Sequence, residues 1–244
     1  MPDVTLEIDD HVAIITIVNP EVKNALTPEM GDTMRGILEE INETPEVGAA
    51  VIRGADGTFC SGADTRNWDP NRDLVADEHY KNSGRVYGTF MKFGELKVPT
   101  IAAVRGAAVG AGMNLLLAAD LRIVAKNARL ISGFLKIPIH PGGGYFTISG
   151  RLAGREATTA MGVFSEEVSG EDAVGIGLAW QALDDAEVED RAIELARRPA
   201  KDPELAREVI RSLRTELGPP QIPWSAALEF ERATQMWSQR RRNP

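Results

Sequence analysis

Cysteine occurs once in the 244 residues, as Cys60, and histidine three times. A single thiol cannot close an intramolecular disulfide, and no Cys/His cluster has zinc-site spacing, so no metal is expected. Positive charge is also scarce: 27 Lys and Arg stand against 36 Asp and Glu, a formal net charge of −9. An acidic surface disfavours nonspecific binding to nucleic acid or an anionic membrane, although a local basic patch can still hold a phosphate. Long apolar runs are missing. The longest largely apolar stretch, Gly106 to Ala119, is glycine-rich and shorter than the roughly 20 residues a membrane span needs. The N-terminus lacks the basic-then-apolar pattern of a signal peptide. The expectation is a soluble, cytoplasmic protein of a reducing compartment.

What is present is a mixed α/β pattern, with enough apolar residues (43%) for a sizeable core. Val4, Leu6 and Ile8 alternate with polar residues, and the run 12–18 is almost all β-branched, so two strands in a hairpin are expected, the second more deeply buried. Thr27 and Pro28 form an N-cap and first-turn pair ahead of Met30, Met34, Ile37, Leu38 and Ile41, which predicts an amphipathic helix over 28–42. Further strands are expected over 49–53, 100–104 and 121–125. Strand–strand–helix units in this order point to parallel pairing with helical crossovers. Beyond Arg155 strand signals fade. Ser169 with Glu171 and Asp172 starts a short helix, and helices over 188–198, 204–217 and 224–239 follow. The last carries Trp224, Phe230, Met236 and Trp237, whose apolar surface needs cover, so an oligomer is expected. The chain divides into a core over 1–190 and a helical oligomerisation region over 191–244.

Two segments carry the chemistry: Gly57-Thr58-Phe59-Cys60-Ser61-Gly62-Ala63-Asp64 and Gly106-Ala107-Ala108-Val109-Gly110-Ala111-Gly112-Met113-Asn114. Each follows a predicted strand and is rich in residues too small to shield the backbone, which is how a chain presents bare N–H groups to a ligand. The second leads into an apolar helix over 113–119 whose amino end adds partial positive charge. Converging on one point, two such turns make an oxyanion hole. Neither has the Lys-Ser/Thr ending of a P-loop, and 106–112 lacks dinucleotide-binding spacing. Nucleotide hydrolysis and hydride transfer drop out. A lone turn of this kind is more often only a turn.

The motifs in order resemble the enoyl-CoA hydratase/isomerase family, the crotonase superfamily. They are Asn19-Pro20 to Lys23-Asn24-Ala25-Leu26; Thr58 to Asp64; Pro99 to Gly106; Val109-Gly110-Ala111-Gly112 through Ala119-Asp120; Pro141-Gly142-Gly143-Gly144; and Gly177-Leu178-Ala179. The resemblance implies a crotonase-like spiral of β-β-α units with a helical C-terminal trimerisation region, as a homotrimer or hexamer. It implies an acyl-CoA thioester as substrate, coenzyme A being part of the substrate and no separate cofactor being needed. It assigns the oxyanion donors to the N–H groups of Ala63 and Ala111. Where Ala111 stands the family usually has glycine, which alanine can replace if its φ is negative. Lys23, Asn24, Ala25, Leu26, Ala63, Asp64 and Arg66 are assigned to the coenzyme A cradle, with Lys23 and Arg66 toward its phosphates or, equally, simply in solvent.

The family's hydratases use two glutamates as acid and base. Here the matching positions hold Asn114 and Phe134, neither of which exchanges a proton at neutral pH. General acid–base catalysis contributes about 10²–10⁴-fold, so hydration is expected to be slow. His140, on the loop ahead of Pro141, is the candidate proton carrier, with packing away from substrate its competing role. Asn114 can hydrogen-bond water or substrate without ionising. Tyr145 reads as core or rim, Asp120 as structural, Glu166, Glu167, His11 and His79 as surface, and Cys60 as a buried filler. Three readings stay open: an acyl-CoA enzyme of the hydratase/isomerase type, an acyl-CoA-binding protein that lost turnover, and a His140-dependent carbon–carbon hydrolase or decarboxylase.

Overall fold

The computed structural model describes residues 3–64, 66, 76–137, 139–218 and 226, with 76–83 described by backbone alone. The alternating segment forms β1 (Asp3–Asp9) and the β-branched run forms β2 (Val12–Val18), paired antiparallel with Val4 opposite Ile17 and Leu6 opposite Ile15. Asp10 (φ 46°) and His11 (φ 66°) make the two-residue turn, the left-handed pair that matches the twist of a hairpin. Val12, Ala13, Ile15 and Ile17 are wholly buried, while Ile8 on β1 is exposed. The second strand is therefore the inner one, as its unbroken apolar run requires.

Helix α1 (Pro28–Glu43) starts where Thr27 Oγ1 accepts from Met30 N at 3.2 Å, with Pro28 in the first turn. It buries Met30, Met34, Ile37, Leu38 and Ile41 on one stripe. Then come β3 (Ala49–Gly54), α2 (Ala76–Gly94), β4 (Thr100–Val104), β5 (Ala107–Val109) and α3 (Ala111–Ala118). The chain continues through β6 (Leu121–Ala125), β7 (Arg129–Ile131), α4 (Tyr145–Gly162), β8 (Glu167–Ser169) and α5 (Gly170–Gly175). The described elements end with β9 (Gln181–Leu183), α6 (Val188–Ala200) and α7 (Pro203–Leu217).

Six strands form one sheet in the order β1-β2-β3-β4-β6-β9, parallel from β2 onward. A smaller sheet runs β5-β7-β8, parallel then antiparallel. The chain winds by repeating one unit: a strand in the large sheet, an extended segment in the second layer, a helix. Units β4–β5–α3 and β6–β7–α4 use full strands. The units begun by β2 and β3 reach the second layer through single parallel bridges, Leu26 to Ala63 and Cys60 to Ala108. These are the expected β-β-α units.

Several expectations need correction. Strands do occur beyond Arg155, as β8 and β9, but three residues are too few for a two-residue period to show. Helices α2 and α4 were not anticipated; α4 is interrupted at Gly154 (φ 74°), which breaks its pattern. The expected boundary near residue 190 falls in the first turn of α6, whose Val188, Ala192, Ala196 and Ala200 are buried in the same core as the sheet. The helix expected over 224–239 lies outside the described residues, Ala226 excepted. Among the described residues no helix is long and apolar enough to cross a membrane.

Arginines tie α7 to the core. Arg207 Nη2 donates to the carbonyls of Ile41 (3.1 Å), Thr44 (2.8 Å) and Val47 (3.1 Å), satisfying the carboxyl end of α1. Arg214 holds Asp120 at 3.0 and 2.6 Å, and Asp120 in turn accepts from Thr100 N and Oγ1 at 2.8 and 2.7 Å. Asp120 is structural. Arg207→Ala should therefore lower unfolding free energy by about 2–3 kcal/mol in urea titrations, since charged hydrogen bonds to buried carbonyls are lost together. Cys60 is fully buried, and burial pushes its thiol up to about 12. Iodoacetamide at pH 8 should leave Cys60 unmodified in the native protein and alkylate it in urea; rapid native alkylation would contradict this packing.

Candidate functional site

The first glycine turn is laced to the segment after β2. Ser61 N donates to Lys23 O at 3.0 Å and Ser61 Oγ to Val22 O at 2.7 Å. Leu26 N donates to Gly62 O at 2.8 Å, and Asp64 N to Leu26 O at 2.9 Å. In this bridge the groups flanking Ala63 face Leu26, so the Ala63 N–H faces the other way. It meets no backbone acceptor among the described residues.

The second turn is pinned to the first through the Cys60 main chain. Cys60 N donates to Ala107 O at 3.0 Å and Val109 N to Cys60 O at 2.9 Å. The turn then needs Gly110 at φ 51°, ψ −108°, a conformation closed to ordinary side chains. Ala111 is the first residue of α3, so its N–H is one of the orphan donors of the helix start, and it too meets no backbone acceptor among the described residues. Gly62 (φ 108°) sits between the turns: a side chain there would come within 3.0 Å of Val109 O and 3.9 Å of Ala111 N. Neither Ala63 nor Ala111 is among the residues with positive φ, so each methyl is tolerated where it stands. The two segments that sequence singled out are brought side by side.

The cradle residues divide by what their side chains are doing. Asn24 (φ 60°) is wholly buried; its Nδ2 donates to Ala55 O (2.8 Å) and Thr58 O (2.6 Å), and its Oδ1 accepts from Asn19 N (2.8 Å). Its amide is spent on shaping the turn. Ala25 and Leu26 are buried beside it, and Lys23 is exposed. The Asp64 carboxylate accepts from Arg66 N and Nε at 3.0 Å and from Nη2 at 2.6 Å, and these bonds hold it below the usual carboxylate range. Arg66 is exposed but carries this carboxylate on its guanidinium. Elsewhere, Thr16, Arg53, Arg105 and Glu189 line a polar depression of about 550 Å³. Its two guanidiniums are already paired with Glu189 and Asp185.

Asn114 and Phe134 are both buried. Asn114 projects from the first turn of α3 and donates through Nδ2 to Gly142 O (2.8 Å) and Gly143 O (3.1 Å). Phe134 packs edge-on against Tyr145, centroids 5.2 Å apart. The Tyr145 hydroxyl bonds Ser132 inside the core, and burial pushes its phenol up, so it is core rather than rim. His140 is exposed, its ring edge-on to Phe146, with Nδ1 2.7 Å from Pro141 O. A carbonyl only accepts, so in the neutral ring Nδ1 carries the proton and Nε2 keeps its lone pair. Glu166, Glu167 and His11 are exposed, and the His79 side chain lies outside the described residues. Sequence reasoning missed Tyr87, whose hydroxyl lies against Gly142. Nothing could flag it, because α2 itself was not anticipated.

Comparison with known proteins bears on the family and the fold. The enoyl-CoA hydratase/isomerase family model matches residues 7–242. A Mycobacterium tuberculosis protein named a probable enoyl-CoA hydratase is 38% identical over 226 residues, 93% of this chain and 85% of that one. The 1,2-epoxyphenylacetyl-CoA isomerase of Escherichia coli is 30% identical over 207 residues, 84% of this chain and 78% of the other. The solved enoyl-CoA hydratase of a Polaromonas species aligns with a TM-score of 0.87 at 23% identity, covering 96% and 90% of the two chains, which shows a common fold. The winding of strand, second-layer segment and helix is thus the crotonase-like spiral, and the chain belongs to the enoyl-CoA hydratase/isomerase family.

Proposed function

We propose that this protein binds an acyl-CoA thioester and stabilises its enolate, the N–H groups of Ala63 and Ala111 taking the thioester oxygen as it gains charge. The observation that carries this reading is a pair of main-chain donors, each without an acceptor among the described residues, on turns that the Cys60 main chain fastens together. Each donor of this kind is worth about 3–4 kcal/mol in a transition state. The acyl-CoA assignment also rests on the relatives, whose names include a hydratase and an isomerase of CoA esters. Coenzyme A would lie along Lys23–Leu26 and Ala63–Arg66, its phosphates toward Lys23 and, once released from Asp64, Arg66. His140 serves as proton carrier through Nε2. The working assembly is a homotrimer or a pair of trimers, in the cytoplasm.

Because Asn114 and Phe134 cannot ionise, hydration of crotonyl-CoA should run at least about 100-fold below an enzyme with both acid and base. The same pair of residues favours a second reading, a thioester-binding protein without turnover. Exchange of the α-proton of butyryl-CoA in D₂O, followed by NMR, decides between them. Enolate stabilisation predicts exchange that His140→Ala slows by about 10²-fold or more. Ala111→Pro is the sharper variant. It replaces the N–H with a ring carbon at a helix first position, where proline is accommodated, and should slow exchange by about 10²–10³-fold with little loss of stability. Tight binding without exchange would leave the binding protein standing. An Ala111→Pro variant that exchanges like the parent would overturn the oxyanion assignment.

A further inference from the structure

Four hydroxyls lie in a row inside the protein, outside the groups assigned to the thioester. Ser132, Tyr145, Ser149 and Thr158 are each buried. The Tyr145 hydroxyl shares hydrogen bonds with those of Ser132 and Ser149, and Ser149 Oγ lies 2.9 Å from Thr158 Oγ1. The tyrosine ring is clamped: Phe134 meets it edge-on, and a side chain at Gly162 would come within 2.9 Å of it. Its hydroxyl is thus delivered to Ser132 in one place.

Ser132 stands next to the bond that shapes the second turn. It follows Ile131, the last residue of the three-residue β7, whose carbonyl accepts from Gly110 N at 2.9 Å. The Ser132 carbonyl would lie 3.9 Å from a side chain placed on Gly110, and the chain then turns at Gly133 (φ 69°). The end of so short a strand frays at low cost unless the residue beyond it is fastened. Gly110 has no side chain to hold it, and the peptide that follows it carries the Ala111 N–H. We propose that Tyr145 is a positioning residue: its hydroxyl fixes Ser132, and through Ser132 the Ile131 carbonyl that sets the peptide ahead of the Ala111 donor. This role rests on the oxyanion assignment above, which gives that donor its work.

Deuterium exchange and carbon NMR on the intact protein test it. Tyr145→Phe keeps the ring and removes the hydroxyl, and should speed exchange of the Gly110 amide by about tenfold or more. With butyryl-CoA labelled with ¹³C at the thioester carbon, the bound signal of the parent should lie downfield of the free ligand. Tyr145→Phe should lose about half of that displacement, since one of two donors is turned out of line. Ser132→Ala should do the same, and the double variant no more, because all three break one bond. Thr158→Val removes the far end of the hydroxyl row; it should lower thermal stability and leave both signals in place. Gly110 exchange that is equal in the parent and both single variants overturns the inference with no thioester present. An undiminished carbonyl displacement in those variants overturns it as well. So does Thr158→Val moving both signals as far, because general loosening of the core then explains them. A parent that binds no thioester, or binds it without downfield displacement, overturns the oxyanion reading, and this one with it.

Discussion

The Cys60 peptide is the fastening on which the site depends. Its N–H and C=O are both spent on β5, on Ala107 and Val109, so the first turn cannot drift from the second without breaking two buried backbone bonds. Small residues make the fastening possible. Gly112 lies directly against the Cys60 carbonyl, leaving no room for a side chain, and Gly62 lies close to Val109 O. The geometry that exposes Ala63 and Ala111 therefore follows from backbone pairing. Side chains such as Asn24 and Ser61 brace it by bonding the backbone.

Main-chain donors carry no pKa to tune and lose no rotamer entropy, so they are organised before a ligand arrives. The surrounding side chains serve the backbone. Asn24 binds three main-chain groups, Ser61 reaches Val22, and Asn114 holds the loop after His140. Asn114 and Phe134, which stand where the resemblance puts an acid and a base, are given to anchoring and packing. His140 is exposed, and its Nδ1 is turned onto its own chain.

How much was legible in the residues depended on length and locality. The strands and helix built from long patterns, β1 to β4 with α1, were readable because a period needs five or more residues to declare itself. The three-residue strands β5, β7, β8 and β9 were not, since they are defined by partners distant in sequence. Likewise, the glycine turns announced exposed backbone, but which N–H was free could be known only from the Leu26–Ala63 bridge. The Asn24 side chain is a buried staple, which sequence could not tell, because a polar residue in a turn looks the same whether its side chain faces a ligand or the chain. Tyr87 was invisible because its place beside Gly142 is created by the docking of α2.

Asp120 adds one mechanical consequence. It stands just past the carboxyl end of α3 and is gripped by Arg214 of α7, while Ala111 opens the same eight-residue helix at its amino end. Through that one carboxylate α7 is hydrogen-bonded to the residue that follows the helix Ala111 begins, so two elements far apart in sequence share a single charged anchor.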